Sequence, residues 1–252
     1  MTEVLEAPKP DAERLRALRR VAIVPAFNEE ASIAGVVDGL LAYDPGLRVV
    51  VVDDGSTDRT AEVARAAGAR VLSLPFNLGI GGAVQTGFRY AWERGFDVAV
   101  RADGDGQHDP AELDAILRPV LADEADVAVG SRFIGGDGYR SSRSRRVGIR
   151  LLAWIVSALT RQRITDPTSG FQAANRLGIR LFAADYPHDY PEAEATVMVF
   201  KHRLRLQEVP VKMRPRESGR SSITTLRSVY YMVKVVLAIF VALFRRKAVP
   251  LD

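Results

Sequence analysis

The chain alternates short apolar runs with longer amphipathic stretches. Residues 21–26, 47–52, 70–74, 97–102 and 126–130 each predict a strand, and most are apolar at consecutive positions. Burial on both faces is what a parallel sheet imposes. Between the first two, Ile33, Val36, Val37, Leu40 and Leu41 recur at helical spacing, and residues 59–67, 79–95 and 110–121 predict three further helices. Thr57 or Asp58 is placed to cap the helix at 59–67, and Gly68 to stop it. Strand–helix alternation at this spacing predicts an α/β fold around a mostly parallel sheet.

Beyond Gly130 the pattern changes. Residues 135–138 predict a flexible glycine loop, 147–159 an amphipathic helix, 165–170 a turn, and 171–175 and 205–211 two more strands. Residues 229–244 are apolar apart from Lys234 and run into Arg245, Arg246 and Lys247. As a helix this stretch would reach about 24 Å, against about 30 Å of bilayer hydrocarbon. An in-plane or partly inserted helix is therefore expected, or a helix for self-association. Residues 1–20 are polar, carry Pro8 and Pro10 and lack an apolar signal core, so a mobile arm is expected there. The expected division is 1–20 arm, 21–222 globular domain and 223–252 C-terminal apolar and basic helix.

Charge and composition narrow the function. Without cysteine, disulfide and thiolate chemistry are excluded. The net charge is only +4, but residues 140–165 hold seven arginines and no acid. Residues 201–220 hold seven Lys or Arg against Glu208 and Glu217. Anionic partners such as phosphates or a lipid surface are expected. Nucleic acid is not, because no aromatics or recognition motif interleave with these charges. His108, His188 and His202 have no zinc-site spacing.

The densest chemistry is Asp103-Gly104-Asp105-Gly106-Gln107-His108, at the end of a predicted strand. Two carboxylates at i and i+2 with a nearby amide oxygen suit a hard divalent cation. An EF-hand is excluded, since His108 stands where the loop needs glycine. A second strand-end acidic turn runs Asp53-Asp54-Gly55-Ser56-Thr57-Asp58. The pair suggests a nucleotide and metal site at the carboxyl ends of a parallel sheet. Gly79-Ile80-Gly81-Gly82-Ala83-Val84 brushes the dinucleotide fingerprint but has Val84 in place of its last glycine, which argues against a dehydrogenase.

These motifs, with Pro25-Ala26-Phe27-Asn28-Glu29-Glu30 before them and Asp166-Pro167-Thr168-Ser169-Gly170-Phe171 after, stand in a known order. The chain resembles the family 2 glycosyltransferases of GT-A fold, and within them the dolichyl- and polyprenyl-phosphate sugar transferases. The resemblance covers about residues 20–222. It implies that Asp103, Asp105 and Gln107 hold Mg²⁺ or Mn²⁺ against the donor diphosphate, with Asp105 central to catalysis. It implies that Pro25, Phe27 and Glu29 line the base and ribose pocket, that Asp54 contacts base or ribose while Asp53 is structural, and that Ser56 ends that turn. Asn77 belongs to an Asn-x-Gly segment whose helix N-terminus could face phosphates. Arg216, Gly219 and Ser221 match an Arg-x-x-Gly-x-Ser segment, although Ser222 stands where lysine is usual and Arg220 could replace its charge. Arg216 and Arg132 are the candidate phosphate ligands. Should the acceptor be a hydroxyl, the candidate base lies among Asp166 and the carboxylates of residues 188–194, Glu192 and Glu194 included, with Asp166 expected rather to shape the acceptor turn.

The implied reaction is inverting sugar transfer from a UDP- or GDP-sugar to a polyprenyl phosphate, by an enzyme held peripherally on the cytoplasmic face of the membrane. A small membrane partner or self-association would complete the anchor. The alternatives are a soluble glycosyltransferase acting on a sugar or protein hydroxyl, and a nucleotide-sugar-binding subunit that needs a partner.

Overall fold

The computed structural model describes residues 18–135, 143–188, 190–214, 234–238 and 240–241. In chain order the elements are β1 Arg20–Ala26, α1 Ile33–Tyr43, β2 Arg48–Asp53, α2 Thr60–Ala66, β3 Arg70–Ser73, α3 Gly79–Glu93 and β4 Val98–Arg101. A 3₁₀ turn Pro110–Glu112 leads into α4 Leu113–Leu121. There follow β5 Val127–Ser131, α5 Arg143–Thr160, β6 Gln172–Asn175, α6 Arg176–Ala184, α7 Pro191–Lys201 and β7 Leu206–Pro210.

The strands form one seven-stranded sheet in the order β3-β2-β1-β4-β6-β5-β7. β1 pairs in parallel with β2 and β4, β2 with β3, and β5 with β7. Only β6 runs antiparallel, between β4 and β5. The strands predicted at residues 171–175 and 205–211 thus join the one sheet and make this end of it mixed.

Alternation along each strand splits the core in two. Ala22, Val24, Val49 and Val51 pack with Ile33, Val37 and Leu40 of α1 and Leu113, Ile116 and Leu117 of α4. Val21, Ile23, Val50 and Val52 face the other way, against Val84 and Phe88 of α3 and Ile179 and Phe182 of α6. A smaller cluster joins Leu152 and Val156 of α5, Ala193 and Val197 of α7, and Val235 of the C-terminal helical stretch. Among the described residues no helix is long and apolar enough to cross a membrane.

Two helices carried little sequence signal. α7 buries every residue from Ala193 to Val199, so it has no polar stripe to betray its period. α6 is short, and its start is marked by Asn175, whose side chain accepts the Leu177 and Gly178 N–H groups.

Candidate active site

The chain runs outward from β1 through β2 to β3 and then returns to β4 on the other side of β1. The loops after β1 and β4 therefore diverge at a topological switch point, where open α/β sheets bind ligands. The loop after β1 is zipped to the loop after β2. Asn28 N–H donates to Ser56 Oγ at 3.0 Å, Asn28 Oδ1 accepts the Thr57 N–H at 2.8 Å, and Glu29 N–H donates to Thr60 Oγ1 at 2.8 Å. Asn28 takes φ +55°, a left-handed conformation that asparagine tolerates better than most residues.

The loop after β1 is tied equally to the loop after β4. Ser32 Oγ lies 2.8 Å from the Gly104 carbonyl oxygen and 2.9 Å from Glu29 Oε2, with one proton to share between them. A Cβ at position 104 would stand 3.0 Å from the Pro25 carbonyl oxygen, so glycine lets the two loops approach this closely. Pro25 is buried, while Phe27 is 45 % exposed.

Both members of the Asp53–Asp54 pair make backbone bonds. Asp53 Oδ1 accepts the Ser56 N–H at 3.1 Å, closing its own turn. Asp54 Oδ1 accepts the Leu78 N–H at 2.7 Å and so fixes the start of α3. Burial raises the Asp54 carboxyl above its usual range, against the pull of the Leu78 and Gly79 N–H groups. Asn77 Oδ1 accepts the Gly79 N–H at 2.9 Å, an Asx turn at the same helix start. Asp54 thus joins the donor-side turn to the Asn77 segment, a role that the strand-end pattern alone did not reveal.

The loop after β4 holds Asp105 and Gln107 together. Gln107 N–H donates to Asp105 Oδ1 at 3.1 Å, and the Gln107 side-chain amide bonds the other carboxylate oxygen. Asp103 is arranged differently. Its Oδ1 takes Arg101 Nη2 at 3.1 Å and Arg101 Nε at 3.2 Å, and its backbone N–H donates to His108 Nδ1 at 2.9 Å. His108 stacks on Phe171 with ring centroids 4.7 Å apart, and burial pushes its pKa below the ordinary value, so the ring is neutral near pH 7. Burial opposes the charge on Asp103, but Arg101 and His108 outweigh it and hold the carboxyl below its usual range.

Among the described residues no three His, Cys, Asp or Glu side chains converge as a metal cage. Asp105, Gln107 and the ion-paired Asp103 offer a sparse set of hard oxygen donors. Such a set fits Mg²⁺ or Mn²⁺, ions commonly completed by substrate phosphates and water.

The basic segment reaches the same loop. Arg214 N–H donates to the Gln107 carbonyl oxygen at 2.9 Å, and its guanidinium meets Asp109 at 2.8 Å. Arg216, the expected phosphate ligand two residues further on, lies outside the described residues, as do Gly219 and Ser221.

On the other flank, Arg132 grips Asp166 with both arms of its fork, Nε to Oδ2 at 2.6 Å and Nη2 to Oδ1 at 2.7 Å. The same Nη2 donates to Thr168 at 2.6 Å. Both ion-pair partners are buried, so the Arg132 charge, expected at a phosphate, is already matched inside the protein. Glu208 of β7 supports the turn from below, accepting the N–H groups of Thr165 at 2.7 Å and Asp166 at 2.8 Å. Burial raises the Glu208 pKa despite these donors. Glu194 receives the Tyr190 N–H at 3.2 Å, at the start of its own helix. It is Glu192, two residues earlier in the same turn, that reaches Arg101, at 2.9 Å.

The sequence model of the family described as "Glycosyl transferase family 2" matches residues 21–185. The chain belongs to glycosyl transferase family 2. It is 30% identical over 210 residues to the UDP-N-acetylglucosamine–dolichyl-phosphate N-acetylglucosaminyltransferase of Methanococcus voltae, covering 75% of this chain and 83% of that one. It is 34% identical over 220 residues to the undecaprenyl-phosphate mannosyltransferase of Micrococcus luteus, covering 82% and 88%. Glucosyl-3-phosphoglycerate synthase of Mycobacterium tuberculosis, solved with Mn²⁺, UDP and glucosyl-3-phosphoglycerate, superposes with a TM-score of 0.71 at 24% identity over 94% of this chain and 83% of that one. The fold of this family 2 glycosyltransferase is GT-A, and the loops after β1, β2 and β4 lie together at its switch point.

Sequence reasoning missed Arg101 and Tyr186. The available signal was a lone arginine in the apolar run Val98-Ala99-Val100-Arg101-Ala102, since a buried charge requires partners.

Proposed function

We propose that this glycosyltransferase moves a sugar from a UDP- or GDP-sugar to a polyprenyl phosphate, at the cytoplasmic surface of a membrane and with inversion at the anomeric carbon. The proposal rests on the Asp105–Gln107 loop lying at the switch point, beside the loops that carry Phe27, Glu29 and Ser56. The printed functions of the Methanococcus and Micrococcus relatives support a polyprenyl-phosphate acceptor.

The nucleoside sits against Pro25, Phe27 and Glu29, and the Asp54–Asn77 turn orders the donor side. The diphosphate lies over Asp105 and Gln107, with Asp103 beside them. Mg²⁺ or Mn²⁺ held there supplies Lewis-acid neutralisation of the charge on the departing nucleoside diphosphate. Arg214 bonds the same loop and Arg216 follows it in the sequence, a pair of arginines that suits an anionic lipid head. A lipid phosphate is ionised near neutral pH and needs no general base. Its oxygen bonds to the anomeric carbon as the bond from that carbon to the donor phosphate breaks, and the nucleoside diphosphate leaves with the electron pair. Asp166, held by Arg132 and Glu208, shapes the acceptor turn and takes no proton.

Contact with the bilayer is supported by α5, where Val147, Leu151, Trp154 and Leu159 are exposed large apolar residues beside exposed Arg146, Arg150, Arg161 and Arg163. Leu237, Phe240 and Val241 of the C-terminal helical stretch are exposed as well. Apolar side chains flanked by arginines suit an anionic lipid interface.

The test is transfer of radiolabel from a panel of UDP- and GDP-sugars into an organic-extractable product, using membranes with undecaprenyl phosphate and Mg²⁺ or Mn²⁺. A metal-dependent lipid product, lost in Asp105→Ala, is expected and names the donor. Donor hydrolysis without lipid product would overturn the lipid acceptor in favour of a hydroxyl.

A further inference from the structure

Glu208 lies in the middle of β7, partly buried, and no cation pairs with it among the described residues. Arg101 is the contrast, since its buried charge is met by Asp103, Glu192 and the Tyr186 hydroxyl. Burial and the neighbouring Asp166 both oppose the charge on Glu208. What it has instead is hydrogen bonds. Oε2 accepts the Thr165 N–H at 2.7 Å and the Thr165 hydroxyl at 2.8 Å, and Oε1 accepts the Asp166 N–H at 2.8 Å. A role that needed only packing would be better met by an apolar side chain, without the cost of taking a carboxylate out of water.

The donors reach Glu208 in one direction. Phe133 N–H donates to Ser131 Oγ at 3.2 Å, and the Ser131 and Thr165 hydroxyl oxygens are 2.6 Å apart. The Thr165 proton goes to Glu208, so the Ser131 hydroxyl is the donor in that pair. A carboxylate accepts and donates nothing, and so ends the chain; a glutamine would turn an NH₂ against one of these donors. Two segments therefore converge on this one side chain: Ser131 to Phe133, at and beyond the end of β5, and the turn that precedes β6. The strand that carries Glu208 runs on to a third. Met213 bridges His108, and Arg214 N–H bonds the Gln107 carbonyl oxygen at 2.9 Å. At the far end of the turn, a Cβ on Gly170 would lie 3.1 Å from Asp103 Oδ2, so the turn abuts the loop after β4 directly.

We propose that Glu208 is a positioning residue that fixes the turn at residues 165–170 and the segment after β5 against the loop after β4, and so sets the affinity for the acceptor and not for the donor. The inference rests on the reading of this turn as the acceptor side of the crevice. The separation from the donor follows from the wiring. The loops after β1, β2 and β4 are tied to one another through Asn28, Ser56, Ser32 and Gly104, and the loop after β3 is tied to them through Asp54. None of these bonds passes through Glu208. Loss of the carboxylate therefore releases one end of the turn while the donor-side loops keep their own bonds.

The experiment measures initial rates of transfer by the full chain in Mn²⁺, varying in turn the nucleotide sugar that the donor panel selects and undecaprenyl phosphate in detergent micelles. Glu208→Gln is expected to raise the acceptor KM about tenfold, the effect of losing a hydrogen bond to a charged group, and to leave the donor KM within about twofold. Thr165→Val, which removes the hydroxyl and keeps the backbone N–H, is expected to raise the acceptor KM about threefold and to add nothing further in the Glu208→Gln background. Both KM values rising together, or kcat falling alone, marks a general structural role and overturns the inference while leaving transfer to the lipid intact. Should Glu208→Gln fail to fold, Thr165→Val decides by itself, and an unchanged acceptor KM overturns the inference. A wild type that makes no lipid product overturns both the inference and the acceptor reading beneath it.

Discussion

Gly170 lies so close over Arg101 that a Cβ would come within 2.7 Å of its Nη2. A flexible arginine could move aside, but this one is held by Asp103 and Glu192. The turn at residues 166–170 is therefore seated on the loop after β4 through an ion pair, and any added atom must lift one from the other. Gly170→Ala is expected to cost about 1–3 kcal/mol of stability. Transfer should fall further than stability explains, which parallel melting curves and initial rates would show.

Arg132 and Asp166 form the other buried pair, and neither has water to fall back on. Removing one partner leaves a buried, uncompensated charge. Asp166→Ala is expected to destabilise by about 3–5 kcal/mol, and Arg132→Ala similarly. The double substitution should cost much less than the two together, and denaturation by urea across the four proteins measures the coupling. Additive losses would return Arg132 to the simpler role of phosphate ligand.

Asp105 is bonded to Gln107 within its own loop, and it stands where the diphosphate is proposed to bind. Asp105→Asn is expected to preserve the fold, since the asparagine oxygen can still accept the Gln107 N–H and the Gln107 side-chain amide can flip to accept from the new NH₂. Transfer should drop at least about a hundredfold, as when a metal ligand is lost from a phosphate-transfer site. Mn²⁺ binding in the presence of UDP or GDP, followed by electron paramagnetic resonance, separates lost metal from lost fold.

Trp154 is 69% exposed on α5, so changing it removes little packing from the protein. Trp154→Asp is expected to leave the melting temperature within a degree or so and to weaken partition onto phosphatidylglycerol vesicles by about tenfold. Co-sedimentation with phosphatidylglycerol and with phosphatidylcholine vesicles tests this. Equal binding of variant and wild type would remove α5 from the membrane-facing surface.

Asp126 gives a pH dependence remote from the site. Burial opposes its charge, but hydrogen bonds from Arg205 and Asn175 outweigh it and lower its pKa. A depressed carboxyl contributes its full stability above the unfolded value, near 3.8, and loses it as the pH falls through the folded one. Arg205 is half-exposed, so solvent screens the pair and about 1–2 kcal/mol is at stake. Asp126→Asn should be less stable than wild type at neutral pH and should lose less stability than wild type below about pH 4.

The legible part of this protein is the part built from local pattern. β1, β2 and β4 were readable because consecutive valines and alanines must be buried on both faces, and their acidic turns followed directly. The Asp105–Gln107 loop was readable for the same reason, since its chemistry is confined to a few residues. Asp103 was half-legible: its position was evident, but not that Arg101 occupies one of its oxygens. Arg132 and Asp166 are 34 residues apart and Arg101 and Glu192 are 91 apart, distances at which one sequence gives no pairing signal. α7 was hidden by its own burial.

The reversed strand β6 has a further consequence. In a wholly parallel sheet, only segments that follow a strand reach the ligand-bearing rim. By running backwards between β4 and β5, β6 brings to that rim the segment that precedes it, the turn at residues 166–170. The loops after β1, β2 and β4 and the turn at residues 166–170 thus reach the rim from opposite chain directions and share no strand ending. Residues 143–170 could therefore be exchanged with those of a relative without cutting the bonds that tie the loops after β1, β2 and β4 to one another.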